Sequence, residues 1–332
     1  MLDPAAPLAV YMEEAVLHYG GKMGVGVLRY SPNPIACVID SETAGRSTRE
    51  AIGVDRDVPI VATIEEAVAL GATAFILGIA PPGGLIPPAW LPAIDRAVEG
   101  GMFVVNGLHD RLGPRYPEGR VWDIRTEPEG LKPGTGAGGT LNNRRVLMVG
   151  TDMAVGKMTA GLEVWKASPE GSAFVATGQI GITITGAGVP LDAIRLDFTT
   201  GAIEREVMRY PDAPVVIIEG QGSLVHPSST ATLPLLRGGM PTHLILCARA
   251  GQTHLETQPV PIPPLGRLIR LYEDLAEACG TFPRPETIGV ALNTFHISDD
   301  GEALAACQAI EADLGLPCVD PVRHGAKRLA NW

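Results

Sequence analysis

Residues 146–159, VLMVGTDMAVGKMT, carry an apolar run into a glycine-bounded loop that ends in Gly-Lys and opens a helix. That order of residue types makes a phosphate cradle. Backbone N–H groups along Gly150, Thr151, Asp152, Ala154, Val155 and Gly156 can turn inward at anionic oxygens, and Lys157 adds a positive charge. The helix starting there, with Met158 and Thr159 in its first turn, contributes the positive end of its dipole. A bound di- or triphosphate is predicted. Five residues, Thr151–Val155, separate the two glycines where the common pattern has four. Met158 stands where a metal-ligating hydroxyl is usual, and Thr159 supplies the hydroxyl one place late. Phosphate is therefore read more directly than magnesium, and no residue is assigned to a metal.

A second constellation lies at 215–227, VVIIEGQGSLVHP. An apolar strand ends in a carboxylate, Glu219, followed by small residues that let a ligand approach. In a phosphate-cradle fold this is the acid-bearing strand, so Glu219 is placed to take a proton from a nucleophile or to hold a cation through water. His226 in the same loop is the alternative base, and Asp197 in LDF at 196–198 a third. Gln179, Gln221 and Ser223 offer uncharged donors and acceptors to a polar substrate. Glu204 suits a surface helix at least as well as catalysis. Asn293, after the apolar run 288–292, sits where a base or nucleotide is read, or serves as a turn former.

These residues need a parallel sheet to position them. Apolar runs at 35–39, 75–79, 103–106, 146–149, 173–176, 215–218, 244–247 and 288–292 lack polar alternation, which suits strands covered on both faces. Segments 64–70 and 90–98 read as crossover helices. With 332 residues, two domains follow from a prior of roughly 150 residues each. The expected class is α/β, an N-terminal Rossmann-like parallel-sheet domain over 1–130 and a P-loop NTPase-like α/β domain over 144–332. The Gly/Pro-rich stretch 131–143 joins them as a linker, or else forms a long active-site loop. The first half lacks G-x-G-x-x-G, which speaks against a dinucleotide. Its loops at 40–46, 78–84 and 106–111 follow strands and can hold a small substrate.

The net charge of −11 disfavours nucleic acid and anionic lipid as partners. The five cysteines have no close-spaced pair, and no apolar stretch approaches the roughly 18 residues of a membrane span. The expectation is a cytoplasmic enzyme acting on a small molecule, with an apolar loop at 85–91 that suits a homo-oligomer contact.

The motifs VGTDMAVGKMT, ATGQIGI, DFTTGAIE and IEGQGSLVHP together resemble the family of D-glutamate N-acetyltransferase-like proteins, long catalogued as a domain of unknown function. The resemblance runs over nearly the whole chain. It implies transfer of an acetyl group from acetyl-CoA to the amine of D-glutamate or a similar amino acid, in D-amino-acid catabolism. A cradle for a diphosphate can hold coenzyme A without hydrolysis, so the altered Lys157-Met158-Thr159 ending is tolerable. The acceptor's carboxylates need cations, for which Arg46, Arg111 or Lys22 are candidates. The GTD…GK loop is also similar to that of dethiobiotin synthetase, which implies the alternative, an ATP/Mg-dependent ligase or carboxylase in which Glu219 holds magnesium.

Overall fold

The protein is described by a computed structural model covering residues 2–331. It divides into two compact units. One is built from the chain up to Glu127 together with Gln179–Ala193, and the other from Pro128–Gly178 and the chain from Ile194 onward.

The first unit contains β1 (Leu8–Tyr11), α1 (Lys22–Tyr30), β2 (Ile35–Ile39), α2 (Thr48–Ile52), β3 (Ile60–Val61), α3 (Ile64–Ala69), β4 (Ala74–Leu77), α4 (Leu91–Glu99), β5 (Phe103–Asn106) and β6 (Val121–Asp123). Its strands form a parallel sheet in the order β3-β2-β1-β4-β5-β6, the doubly wound order. The apolar runs at 35–39, 75–79 and 103–106 are strands here, and 64–70 and 90–98 correspond to α3 and α4. The central strand, β1, escaped the sequence reading, as did β3 and β6. Only four residues long, LAVY follows a proline-rich stretch, and its burial comes from flanking partners, Ala9 lying opposite Cys37 on one side and Phe75 on the other. Local sequence does fix two helix starts, where Ser47 with Glu50 and Thr63 with Glu66 bond reciprocally as capping boxes.

The second unit begins with β7 (Arg144–Gly150), α5 (Lys157–Ala167) and β8 (Ala173–Val175). The chain then makes an excursion, α6 (Gln179–Thr185) and onward to Ala193, that clusters with the first unit. It returns with α7 (Leu196–Val207), β9 (Val215–Ile218), α8 (Thr232–Gly239), β10 (His243–Arg249), α9 (Leu265–Glu277), β11 (Glu286–Asn293), α10 (Asp300–Leu314) and β12 (Cys318–Val319). The parallel sheet runs β12-β11-β10-β7-β9-β8, so β7, which leads into the glycine-bounded loop, has the carboxylate-bearing β9 on one side and β10 on the other. In such sheets ligands sit beyond the carboxyl ends of the strands.

The Gly/Pro-rich stretch before β7 belongs to the second unit and is tied down rather than free. Glu204, 8 % exposed on α7, accepts hydrogen bonds from the backbone of Thr135 and Ala137 and from the Thr135 hydroxyl. Neither a surface-helix nor a catalytic role fits a carboxylate so occupied; it is a tether. Removing it deletes the charge-assisted hydrogen bonds of a buried carboxylate, so Glu204→Ala should lower unfolding stability by about 1–3 kcal/mol in a denaturant titration. An unchanged midpoint would show that the tether contributes nothing.

Candidate active site

The loop between β7 and α5 closes around its own lysine. Gly156, the residue before α5, has φ of 95°, a left-handed conformation that favours glycine, and this turns the chain sharply into the helix. Lys157 is 4 % exposed, and its Nζ donates to the carbonyls of Asp152 and Met153 at 2.8 Å each. Burial lowers its pKa to about 8, opposed by the neighbouring Cys247, Asp152 and Glu219. The backbone N–H of Thr151 donates to Cys247 on β10, while its buried hydroxyl has no partner. Val155 is buried, Ala154 is exposed, and Met158 and Thr159 are half-buried in the first turn of α5.

Asp152 does not point at a ligand. Its Oδ1 accepts from Met153 N at 2.6 Å, and its Oδ2 accepts from Gln252 Nε2 and Glu256 N, both at 2.8 Å. Burial by itself would raise this carboxyl, but those hydrogen bonds and His226 hold it below its ordinary range. Its side chain therefore fastens the segment after β10 onto the loop. Whatever it contributes to a bound phosphate comes through the backbone.

Glu219 stands at the end of β9, the strand paired with β7. Gly220 makes this possible, since a Cβ there would lie 1.6 Å from the Met148 carbonyl. One carboxylate oxygen of Glu219, Oε2, accepts from the backbone N–H of Thr177 at 2.8 Å and of Gly178 at 3.1 Å. Burial pushes its pKa up to about 7, against the lowering pull of those two donors and of the Lys157 charge. It is thus a carboxylate that changes charge near neutrality beside a buried ammonium. A side chain at Gly178 would meet both the Gln221 amide and Glu219 Oε1, which places Gln221 at the same spot.

His226 is buried and locked within its own loop. Its Nδ1 accepts from Ser228 N at 3.1 Å, so the neutral ring carries its proton on Nε2, 4.0 Å from Asp152 Oδ1. That is the posture of a positioning residue. Ser223, also buried, donates from its backbone to the Ser229 hydroxyl. Tyr272 on α9 bridges this loop to the cradle, donating to the Gly150 carbonyl at 2.7 Å and accepting from Leu224 N.

Asn293 ends β11 beside the loop, its amide nitrogen 3.6 Å from where a Cβ of Gly156 would stand, and its Oδ1 accepts from Phe295 N. The other sequence candidates lie on other elements. Asp197 is exposed in the first turn of α7, without a hydrogen bond among the described residues, where its charge suits the helix dipole. Gln179 belongs to the first unit, its stem packed on Gly107. Arg46 and Arg111 are exposed in the first unit, and Arg46 donates to the Glu50 carbonyl.

Four residues were not marked from sequence. Arg249, at the end of β10, donates to the Ala154 carbonyl and pairs with Glu256 at 3.1 Å. The rule that ligands sit at strand ends would have found it. Phe295 is 84 % exposed two residues after Asn293. Gln252 and Tyr272 lie 100 and 122 residues from their cradle partners and left no local signal.

Residues 132–330 match a family model described as a domain of unknown function, the DUF1611_C P-loop domain, and residues 41–118 match the DUF1611_N Rossmann-like domain. A D-glutamate N-acetyltransferase from Pseudoalteromonas sp is 38% identical, the match covering 79% of this chain and 82% of that protein. Another of that name, from Tritonibacter scottomollicae, is 33% identical over 98% of this chain and 97% of its own. The crystal structure of a DUF1611 family protein from Anabaena variabilis superposes with a TM-score of 0.94 at 46% identity, covering 98% of each chain. No helix among the described residues is long and apolar enough to cross a membrane.

Proposed function

The chain belongs to the DUF1611 family, and from that premise we propose that it is an acyltransferase that moves the acetyl group of acetyl-CoA to the amine of D-glutamate or a closely similar amino acid. The observation that carries the chemistry is Glu219, a buried carboxyl with a pKa of about 7, one strand from the cradle. The names of the two curated relatives support the acceptor and the transfer of an acetyl group.

In this reading the coenzyme's pyrophosphate rests on the N–H groups of 150–156, the first turn of α5 and the Lys157 ammonium, where the unpartnered Thr151 hydroxyl also finds an acceptor. The acceptor amine reaches the side of Glu219 that Thr177 and Gly178 leave open. An ammonium cannot attack a thioester, so Glu219 first takes one of its protons and the neutral amine then bonds to the carbonyl carbon. In the same reading the Gln221 amide donates to the oxygen that becomes negative. The C–S bond then breaks and the second proton of the nitrogen passes to the leaving thiolate, giving the neutral amide and the free thiol. Met158 in place of a metal-ligating hydroxyl costs such a reaction little.

Thiol release from acetyl-CoA, followed against a panel of D- and L-amino acids, tests this directly. D-glutamate should give the fastest turnover. Thermal stabilisation by ATP with magnesium, combined with no thiol release for any amine, would instead favour the ligase.

Phe295 supplies an aromatic face beside Asn293 on which an adenine can stack. Phe295→Ala should raise the KM for acetyl-CoA about 5- to 50-fold with kcat nearly unchanged. Equal losses in kcat and kcat/KM would place Phe295 at the reacting centre rather than on the base.

A further inference from the structure

The first unit contains a cleft of about 320 Å³ at the carboxyl ends of β1 and β2, walled by α4 and the start of α3, at the small end of the range for ligand sites. Tyr11, the last residue of β1, lines it. Only 5 % of Tyr11 is exposed, and its hydroxyl has no hydrogen-bond partner among the described residues. Because Tyr11 lines the cleft, its hydroxyl is available there to the polar group of a ligand. Burial first, and the charges of Glu13 and Glu14 next, push its pKa up to about 12, so it remains a neutral donor and acceptor.

The lining fixes the kind of ligand. Glu13 and Glu14 put two carboxylates in the cleft, and Glu13 is held there by the backbone N–H and the hydroxyl of Ser41. Trp90 stands edge-on to Tyr11 with ring centroids 5.8 Å apart, so the wall is aromatic as well as acidic. Acid plus aromatic faces suit an ammonium group. Arg96 brings the single positive charge, half-exposed and only 3.9 Å-paired with Glu65. A phosphate would face two carboxylates where a dinucleotide fold has glycines. Nor can Asp40, after β2, hold a ribose, since Glu14 N, Thr43 N and the Thr43 hydroxyl already occupy its oxygens.

We propose that this cleft binds a free amino acid, with the ammonium against Glu13, Glu14 and the Tyr11 hydroxyl and the carboxylate toward Arg96. It is a second site, made of first-unit residues alone. It does not depend on the acetyl-transfer reading, because binding and not turnover reports on it.

Trp90 is a local reporter. Titrating the full-length protein with a panel of free D- and L-amino acids should give a saturable change in tryptophan emission that Trp90→Phe abolishes. The arms of the panel identify whether the occupant is the acceptor itself or another amino acid. N-acetylated amino acids, which lack the ammonium, and inorganic phosphate should give no such change. Glu13→Gln and the exposed, conservative Glu14→Gln should each raise Kd at least about tenfold, and Tyr11→Phe about threefold or more. The proposal fails if N-acetylated amino acids or phosphate bind as well as free amino acids. It fails equally if all three substitutions leave Kd unchanged, or if no free amino acid moves the Trp90 signal.

Discussion

Lys157→Met should raise the KM for the acyl donor about 30- to 1,000-fold, the range for removing one member of a buried, hydrogen-bonded charge pair. Methionine nearly keeps the length and removes only the charge. Lys157 is the one cation this buried at the loop, its ammonium held by two carbonyls, ready to exchange them for phosphate oxygens. The free protein should not lose thermal stability, because burial already works against the charged form of Lys157. Weakened donor binding in a protein with an unchanged or higher Tm separates this result from misfolding. A KM within a factor of about three of wild type would mean that the donor's phosphates are held elsewhere.

Glu219→Gln should lower kcat about 100- to 10,000-fold, the usual contribution of a positioned general base. Donor binding should survive, since the cradle is untouched. The pH profile carries the sharper signature. As pH rises through about 7, Glu219 loses its proton and becomes competent to accept one, so kcat/KM rises there. As pH rises further through about 8, Lys157 loses the charge that grips phosphate and kcat/KM falls. The two groups feel one another, so the limbs report the pair, and Glu219→Gln should erase the acid limb. A wild-type profile flat between pH 6 and about 7.5 would remove Glu219 as the base.

The same carboxyl makes a stability prediction of definite sign. Its folded pKa lies above the unfolded value, so the stability it confers is full below about 4.5 and is lost as pH rises through about 7. Glutamine cannot ionise. Glu219→Gln should therefore gain on the order of 3 kcal/mol over wild type above neutral pH and nothing in acid, measured by unfolding at both ends. A more stable and less active variant is the mark of a functional group held in a site that folding alone would not choose.

Much of the second unit was legible because its signals are local. The glycine-bounded loop is a strand, a turn and a helix start within fourteen consecutive residues, 146–159, and a helix N-terminus attracts anions whatever surrounds it. Glu219 was legible because an apolar run can end in a carboxylate only where the chain leaves a sheet. Short apolar runs of β-branched or aliphatic residues without polar alternation announced a parallel sheet in both halves, although β1, central in the first, was too short to stand out.

What the sequence determined by itself was which backbone would form the glycine-bounded loop ahead of α5 and which acid would end its neighbouring strand, since both follow from residues adjacent along the chain. Which of the polar residues are already spent was decided by the tertiary structure alone. Asp152 is consumed by Gln252 and Glu256, His226 by Ser228, Glu204 by the stretch before β7, and Asp197 is left in solvent. Hydrogen-bond saturation and desolvation depend on partners up to 122 residues away, and no local pattern encodes them.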